Sequence, residues 1–172
     1  MPRTLLILRH AKSRWDDVGV SDHDRKLTKR GKRDARRLGI ALAERGLVPD
    51  VILTSTAKRA QSTARRVAKG SGYDGELLQE PSLYSDDEWA SLGLLAGLGM
   101  DIETAMVVGH NPTLQDLVAL LTGEHLPLAT ANLVCIELPI DDWHQLVRDR
   151  PRGRVRFVLD PRELADQPPD RP

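Results

Sequence analysis

The sequence contains one cysteine, no excess of either charge and no long apolar run. A single cysteine, Cys135, excludes an internal disulfide, and its apolar surroundings favour burial and a reducing compartment. Lysine and arginine number 25, as do aspartate and glutamate, so the overall charge predicts neither a nucleic-acid partner nor an acidic membrane. The aliphatic run near the N-terminus is too short for a signal peptide, and no window is long enough to span a bilayer. We therefore expect a cytoplasmic protein.

The length and composition predict one domain. A chain of 172 residues with 40% hydrophobic residues is large enough to bury a core of its own, and two domains would be cramped. We expect the domain to span residues 1–164. The proline-rich residues 165–172 are expected to be disordered.

Short aliphatic runs alternate with amphipathic segments along the chain. The runs TLLIL (4–8), DVILT (50–54) and TAMVVG (104–109) predict buried, central parallel strands, and NLVCIEL and RVRFVLD predict two more strands. Helices are predicted from Thr28 to Gly46, Thr56 to Gly70, Trp89 to Gly97 and Asn111 to Gly123, the last with Asn111 as its cap and Pro112 as its first residue. The alternation predicts a single-domain, three-layer α/β/α fold with a mostly parallel central sheet.

Charged or polar residues follow each of the three buried strands. Arg9 and His10 follow the first, Arg59 comes after the second in the stretch STAKRAQSTA, and His110 follows the third. Ligands in such folds bind beyond the carboxyl ends of the strands, so these four residues are expected to converge at one edge of the sheet.

Two histidines and two arginines in one pocket are suited to phosphoryl transfer. Arginine offers planar, permanently charged donors that match phosphate oxygens, and the predicted helix N-termini add backbone donors. Nearby arginines disfavour the imidazolium, so His10 can attack phosphorus as a neutral nucleophile. His110 can then donate hydrogen bonds to the phosphoryl oxygens as charge develops.

Four ordered motifs, LRHAKSRWD, SDHDRKLTKRG, TSTAKRAQSTA and VVGHNP, together resemble the histidine phosphatase superfamily, the phosphoglycerate mutase-like group. Within the superfamily, the chain is most similar to the phosphohistidine phosphatase SixA-like branch. Three features carry this similarity: the short chain, the lack of a lid insertion and the ending LDPREL. The resemblance implies that His10 is the residue phosphorylated and that His110 is the second pocket histidine. It assigns phosphate binding to Arg9 and Arg59, with Arg25 as a further residue that reaches the pocket.

The sequence departs from the family pattern at one position, and some of its residues also suit a different role. Ala11 stands where the family usually has glycine, which would tighten the loop. A zinc site built from His10, His110 and His23 is possible on residue types, although no pair has a short helical spacing. Eight of the thirteen residues from 25 to 37 are lysine or arginine, which indicates either a solvated helix face or a docking face for an acidic partner.

The proton donor is not identified by the sequence. The candidates between the second and third strands are Glu80, Asp86, Asp87 and Glu88. Ser85 and Glu88 have the spacing of a capping box, which accounts for Glu88 without catalysis. An alkoxide needs protonation to leave, whereas an imidazole leaving from phosphohistidine needs less help, so the lack of a clear acid favours a phosphoramidate substrate.

The sequence therefore predicts a cofactor-independent, metal-free phosphatase that acts through a phosphohistidine intermediate on His10. Its expected partners are a phosphorylated protein or small phosphorylated molecule and a phosphate or sulfate anion in the pocket. A phosphatase of small phosphate esters and a non-catalytic phosphate-binding module remain as alternatives. A mutase is less favoured, because no extra segment would enclose a sugar-acid phosphate. The sequence does not specify the physiological substrate or the oligomeric state.

Overall fold

A computed structural model describes residues 1–164 as one α/β domain. The C-terminal segment 165–172, for which disorder is predicted, lies outside the described residues.

The centre of the domain is a six-stranded mixed sheet with the strand order β3-β2-β4-β1-β5-β6. The strands are β1 (Arg3–Arg9), β2 (Val51–Thr54), β3 (Leu77–Gln79), β4 (Thr104–Gly109), β5 (Leu133–Leu138) and β6 (Arg154–Leu159). Strands β1 to β4 pair in parallel, whereas β5 pairs antiparallel with both β1 and β6. The predicted central position of β1, β2 and β4 is confirmed. Strand β3, at the sheet edge, was not predicted.

Helices cover both faces of this sheet. Their bounds are α1 (Lys29–Glu44), α2 (Lys58–Ser71), α3 (Glu88–Ala96), α4 (Thr113–Thr122) and the single turn α5 (Gln145–Arg148). One face packs against α1 and α2, and the opposite face packs against α3, α4 and α5. The predicted three-layer arrangement is confirmed. Within residues 1–164, no helix has both the length and the apolar composition needed to cross a membrane.

Strand β1 joins the two apolar layers. Its side chains alternate between faces, so that Leu5 and Ile7 pack into one layer while Leu6 and Leu8 pack into the other. All four are fully buried. This double burial explains why the run is continuously apolar rather than alternating with polar residues.

Two predicted helix starts are wrong in detail. The residue that caps α4 is Pro112 rather than Asn111, whose amide group instead donates hydrogen bonds to Gln115 and to the backbone carbonyl of Leu128. The carboxylate of Asp87, not Ser85, accepts the free backbone N–H groups at the start of α3. Ser85 donates to the carbonyl of Ser82 instead, so no capping box forms.

Helices α1 and α2 pack closely against each other at two glycines, Gly39 and Gly70. A Cβ atom added at Gly39 would collide with the backbone of Val67, Gly70 and Ser71, and one added at Gly70 would collide with the carbonyl of Arg36. Because these obstacles are backbone atoms, a side chain cannot be accommodated by a rotamer change. The two glycines therefore set the distance between the helices.

The variant Gly39→Ala is expected to be destabilised. Alanine favours a helix over glycine by about 1 kcal/mol, but overpacking typically costs about 1–3 kcal/mol, and here the clash is with backbone. Urea unfolding should show a lower midpoint than that of the wild type.

Gly93→Ala is the matched control, because a Cβ at this helical position meets nothing within 4 Å. It should be stabilised by up to about 1 kcal/mol. Equal stability changes in the two variants would contradict the proposed close contact.

Candidate active site

The alignment of β1 with β4 brings two histidines together. Arg9, the last residue of β1, lies opposite Gly109, the last residue of β4. The next residue of each strand is therefore a histidine at the same edge of the sheet. The backbone N–H of His10 donates to the carbonyl of Gly109 over 3.0 Å, and the rings of His10 and His110 are 5.2 Å apart between centroids.

His10 is buried as a neutral imidazole whose Nε2 lone pair accepts a hydrogen bond from Arg59. Its Nδ1 lies 2.8 Å from the carbonyl oxygen of Ala11. Because a carbonyl only accepts, Nδ1 carries the proton and Nε2 carries the lone pair. The Nε–H of Arg59 approaches this Nε2 to 3.4 Å. Burial lowers the pKa of His10 to about 3, and the charges of Arg59 and Arg9 add to this effect.

Ala11 fixes the loop that carries His10. Its carbonyl accepts the hydrogen bond from His10, and its backbone N–H donates to the hydroxyl of Thr63 over 3.0 Å. Thr63 in turn donates to the carbonyl of Arg59, one turn earlier in α2. The side chain of Ala11 is fully buried.

His110 is held through one ring nitrogen and is also neutral. Its Nε2 lies 2.8 Å from the hydroxyl oxygen of Ser55, the first residue after β2. Within residues 1–164 its buried Nδ1 has no hydrogen-bond partner. Burial lowers the pKa of His110 to about 4, and the positive charge of Arg59 contributes.

Three arginines surround the histidine pair. Arg59, in the first turn of α2, is 5% exposed, and Arg25 is 9% exposed. Arg9 donates from Nη1 to the carbonyl of Leu128, and its burial and the charge of Arg59 lower its pKa. The structure thus brings all five predicted residues into one cluster.

A carboxylate that the sequence analysis did not select, Asp22, links two of the arginines. Its Oδ2 accepts hydrogen bonds from Nη2 of Arg59 at 3.1 Å and from the hydroxyl of Tyr84 at 2.8 Å, and its Oδ1 accepts one from Nε of Arg25 at 3.2 Å. The hydrogen bond from Tyr84 is the largest cause that lowers the pKa of Asp22, to about 2, and the arginines assist. Asp22 is therefore ionised at neutral pH.

The segment between His10 and α1 supports Arg25 from several sides. Nη1 of Arg25 donates to the hydroxyl of Ser13 over 2.6 Å. The guanidinium also stacks on the indole of Trp15, 3.5 Å from the ring centroid, although 76% of Trp15 is exposed. Such stacking adds cation–π attraction. The contacts hold Arg25 in place beside Asp22.

Ser55 and Tyr84 were also missed in the sequence. A signal existed for Asp22, because an aspartate three residues before Arg25 can form a local ion pair, and for Ser55, which directly follows a buried strand. Tyr84 gives no such signal. It lies in a short 3₁₀ helix, Pro81–Tyr84, and reaches His110 edge-on at 5.6 Å between ring centroids.

The proton-donor candidates differ in their surroundings. Asp87 accepts two backbone N–H groups as the cap of α3. Glu80 follows β3, and its backbone N–H donates to the carbonyl of Thr54, which directly precedes Ser55.

His23, a member of the possible zinc site, lies 2.9 Å from the hydroxyl of Thr56 through Nε2. In residues 1–164, no group of three or more His, Cys, Asp or Glu side chains is arranged to hold a metal ion.

Part of the chain matches the model of a known protein family. Residues 5–84 match the family model of the histidine phosphatase superfamily (branch 1). An uncharacterized chloroplastic protein of Arabidopsis thaliana is 32% identical over 152 residues, which are 83% of this chain and 70% of the relative.

Two solved structures share the fold. A candidate phosphohistidine phosphatase SixA from Agrobacterium tumefaciens superimposes with a TM-score of 0.79 and 26% identity, over 93% of this chain and 99% of that one. The protein histidine phosphatase SixA in complex with tungstate superimposes with a TM-score of 0.81 and 23% identity, over 94% and 99% of the two chains.

The buried neutral histidines make stability depend on pH. A folded-state pKa below the unfolded value means that the unfolded chain binds more protons, so stability present above pH 6.5 is lost as the pH falls. For His10, with a folded pKa of about 3, the loss between pH 7 and pH 5 is about 2 kcal/mol. The variant His10→Asn should lose less stability over this interval in urea unfolding. An unchanged pH dependence would contradict the buried, neutral state.

Removal of the Asp22 charge should strengthen anion binding. In Asp22→Asn the amide keeps the shape of the carboxylate, but Arg59 and Arg25 lose a competing negative charge, so tungstate should bind about threefold more tightly. Calorimetric titration measures this affinity. Asp86→Asn, a change at an exposed residue in the same part of the chain, is the control. Weaker binding in Asp22→Asn would mean that the carboxylate mainly orients the arginines.

Proposed function

The chain belongs to the histidine phosphatase superfamily, and we propose that this protein is a phosphatase that removes phosphoryl groups from histidine side chains of other proteins. The observation that carries the proposal is the state of His10. Its Nδ1 proton is donated to Ala11, and its Nε2 lone pair lies beside Arg59. We take residues 1–164 as the histidine phosphatase domain.

In the first step, His10 accepts the phosphoryl group. The Nε2 lone pair forms a bond to phosphorus while the bond from phosphorus to the substrate nitrogen breaks, and that electron pair stays on the leaving ring. The leaving imidazole is neutral when its other nitrogen carries a proton. The Nδ1–H donated to Ala11 fixes the tautomer of His10, so that the attacking atom faces the pocket.

In the second step, water attacks the phosphorus and the bond to Nε2 breaks. The electron pair returns to Nε2, both protons of the water stay on the product, and inorganic phosphate leaves as H2PO4−. His10 is restored as the neutral imidazole, which is its stable form because its pKa is about 3. No cofactor or metal enters either step of this proposal.

The three arginines are proposed to hold the phosphoryl oxygens. Guanidinium groups match these oxygens in charge and geometry, and Arg59 and Arg25 already hold a carboxylate, that of Asp22. The structural neighbour in complex with tungstate supports an oxyanion site, because tungstate has the shape and charge of a phosphate. A substrate phosphate would share Arg59 with Asp22.

His110 is proposed to stabilise the transferring group. If the hydroxyl of Ser55 donates to Nε2, then Nδ1 carries the proton of the neutral ring, and in residues 1–164 that proton has no acceptor, which leaves it for a phosphoryl oxygen. A donor already in position lowers the barrier more than one that must reorient. Ser55 is thus a positioning residue for His110.

The acidic residues near the site favour a nitrogen leaving group. Asp22 is ionised at neutral pH and cannot supply a proton, and Asp87 is engaged by the start of α3. An alkoxide leaving group would require such a proton, whereas an imidazole does not. This supports phosphohistidine over a phosphate ester as substrate.

A phosphatase of small esters is the second candidate. The observation that favours it is Glu80, because its backbone is hydrogen-bonded beside Ser55 at the edge of the site. In that case Glu80→Gln should reduce turnover of an aryl phosphate strongly. Under the main proposal the same variant retains its activity on phosphohistidine.

The main test is trapping of the phosphorylated enzyme. Wild type, His10→Ala and His144→Ala are mixed separately with a phosphohistidine protein and with an aryl phosphate. We expect acid-labile, base-stable phosphate on the wild type and on the His144→Ala control, and a loss of turnover of at least roughly a thousandfold in His10→Ala. Arg59→Ala should lower both phosphate affinity and rate.

The substrate that the wild type hydrolyses faster distinguishes the two candidate functions: the phosphohistidine protein for the main proposal, the aryl phosphate for the ester phosphatase. Because His10 is buried, circular dichroism must first establish that His10→Ala is folded. Wild-type turnover in His10→Ala would refute the covalent mechanism. No labelling and no turnover of either substrate by the wild type would leave a non-catalytic phosphate-binding module.

A further inference from the structure

We propose that the groove between the start of α1 and helix α2 is a docking site for an acidic segment of the phosphoprotein substrate. This inference rests on the proposed function for the identity of the partner. The groove has a volume of about 450 Å³ and is lined by Lys26, Leu27, Lys32, Lys58, Gln61, Ser62, Arg65 and Arg66.

Charge is concentrated in this groove. Five of its eight lining residues are cationic and none is acidic, although the whole chain has a formal net charge of zero. The zero net charge therefore conceals a strong local segregation. Like charges that converge on a concave surface raise the local potential and attract anionic groups.

The cations of the groove are largely available to a ligand. Among residues 1–164, Lys26, Lys32 and Arg65 form no ion pair, and all three are exposed. The ion pair of Lys58 with Asp24 is long, at 3.9 Å. Carboxylates of a partner would supply the missing acceptors.

Two residues of the groove are next in sequence to the proposed phosphate-binding arginines. Lys58 directly precedes Arg59, and Lys26 directly follows Arg25. From Lys58 to Arg65 the groove follows one face of α2 for about 10 Å, since an α-helix rises 1.5 Å per residue. A bound segment would therefore lead away from the active site along α2.

A neighbouring groove extends the basic surface toward His10. It shares Leu27 and Lys32 with the first groove and also includes Lys12, two residues after His10. Through these shared residues, the two grooves belong to one surface that is rich in cations. A protein carrying phosphohistidine could place its modified ring at His10 while its acidic surface contacts these cations.

An acidic protein segment suits the groove better than a nucleic acid does. Proteins that bind single strands combine cations with aromatic side chains on which bases stack. None of the eight residues that line the groove is aromatic, and Trp15, which lines the neighbouring groove, is already stacked on Arg25. Acidic side chains need only the charges and donors that are present.

The test compares two double variants of the full chain. Lys32→Glu with Arg65→Glu reverses two charges inside the groove. Arg33→Glu with Lys69→Glu makes the same change of charge at exposed positions of the same helices outside it. Circular dichroism establishes that both are folded.

Binding is measured first, because it does not require catalysis. The probe is a fluorescein-labelled peptide of alternating glutamate and glycine, followed by anisotropy at low salt. We expect the groove variant to bind roughly tenfold more weakly than the wild type, while the control variant binds as the wild type does. Added salt should weaken the wild-type interaction.

Kinetics then connect the groove to the reaction. For a phosphohistidine protein with an acidic surface, the groove variant should show a raised KM and an unchanged kcat. Its turnover of phosphoimidazole, which is too small to reach the groove, should equal that of the wild type. A change in phosphoimidazole turnover would mean that the substitutions act on the active site and would overturn docking.

Other results of the binding and kinetic experiments would distinguish docking of an acidic segment from its alternatives. Peptide binding that is absent in the wild type or equal in all three proteins would overturn the proposal and leave a solvated helix face. Tighter binding of a labelled oligouridine than of the peptide, with the same loss in the groove variant, would indicate a nucleic-acid site instead. If the peptide binds as expected but no phosphohistidine protein is hydrolysed, docking stands and the proposed substrate fails.

Discussion

The parallel pairing of β1 with β4 is the constraint on which the site depends. Two segments about a hundred residues apart in sequence are aligned so that both strands end at the same level, Arg9 against Gly109. A shift of one residue would reverse the faces to which the buried side chains of β1 point and would also separate the two histidines. The apolar core therefore enforces the geometry of the polar site. Packing and chemistry are specified by the same register.

Electrostatics within the site follow from burial. Desolvation disfavours the charged form of His10 and His110, and the neighbouring guanidinium groups act in the same direction. Asp22 acts in the opposite direction, because its negative charge pairs with both Arg59 and Arg25. These ion pairs offset the repulsion between the two arginines. Outside the site, the groove along α2 lacks such a carboxylate. A carboxylate thus pairs with the arginines near the two histidines, whereas no carboxylate is among the residues that line the groove.

Most of the fold was predictable because the buried strands are apolar on both faces and leave a clear pattern. The positions of His10 and His110 could be predicted from strand ends, and that of Arg59 from the helix start that follows β2. The contact of Asp22 with Tyr84 could not, because it joins two short 3₁₀ helices that are 62 residues apart in sequence. The edge strand β3 is only three residues long and half-buried, which is too short for periodicity to be recognised. At the start of α3, Ser85 and Asp87 were both chemically suitable caps, and only the backbone path selects between them.

The stacking of Trp15 on Arg25 gives the protein an intrinsic optical reporter. Trp143 is fully buried and hydrogen-bonded to Ile102, and Trp89 lies on α3 on the other face of the sheet. Only Trp15, of the three tryptophans, touches a residue that contacts Asp22. An anion that draws Arg25 away from the indole ring would alter the emission of that one fluorophore. Under the proposed function, occupancy of the pocket should therefore change the intensity and wavelength of tryptophan fluorescence without any added label.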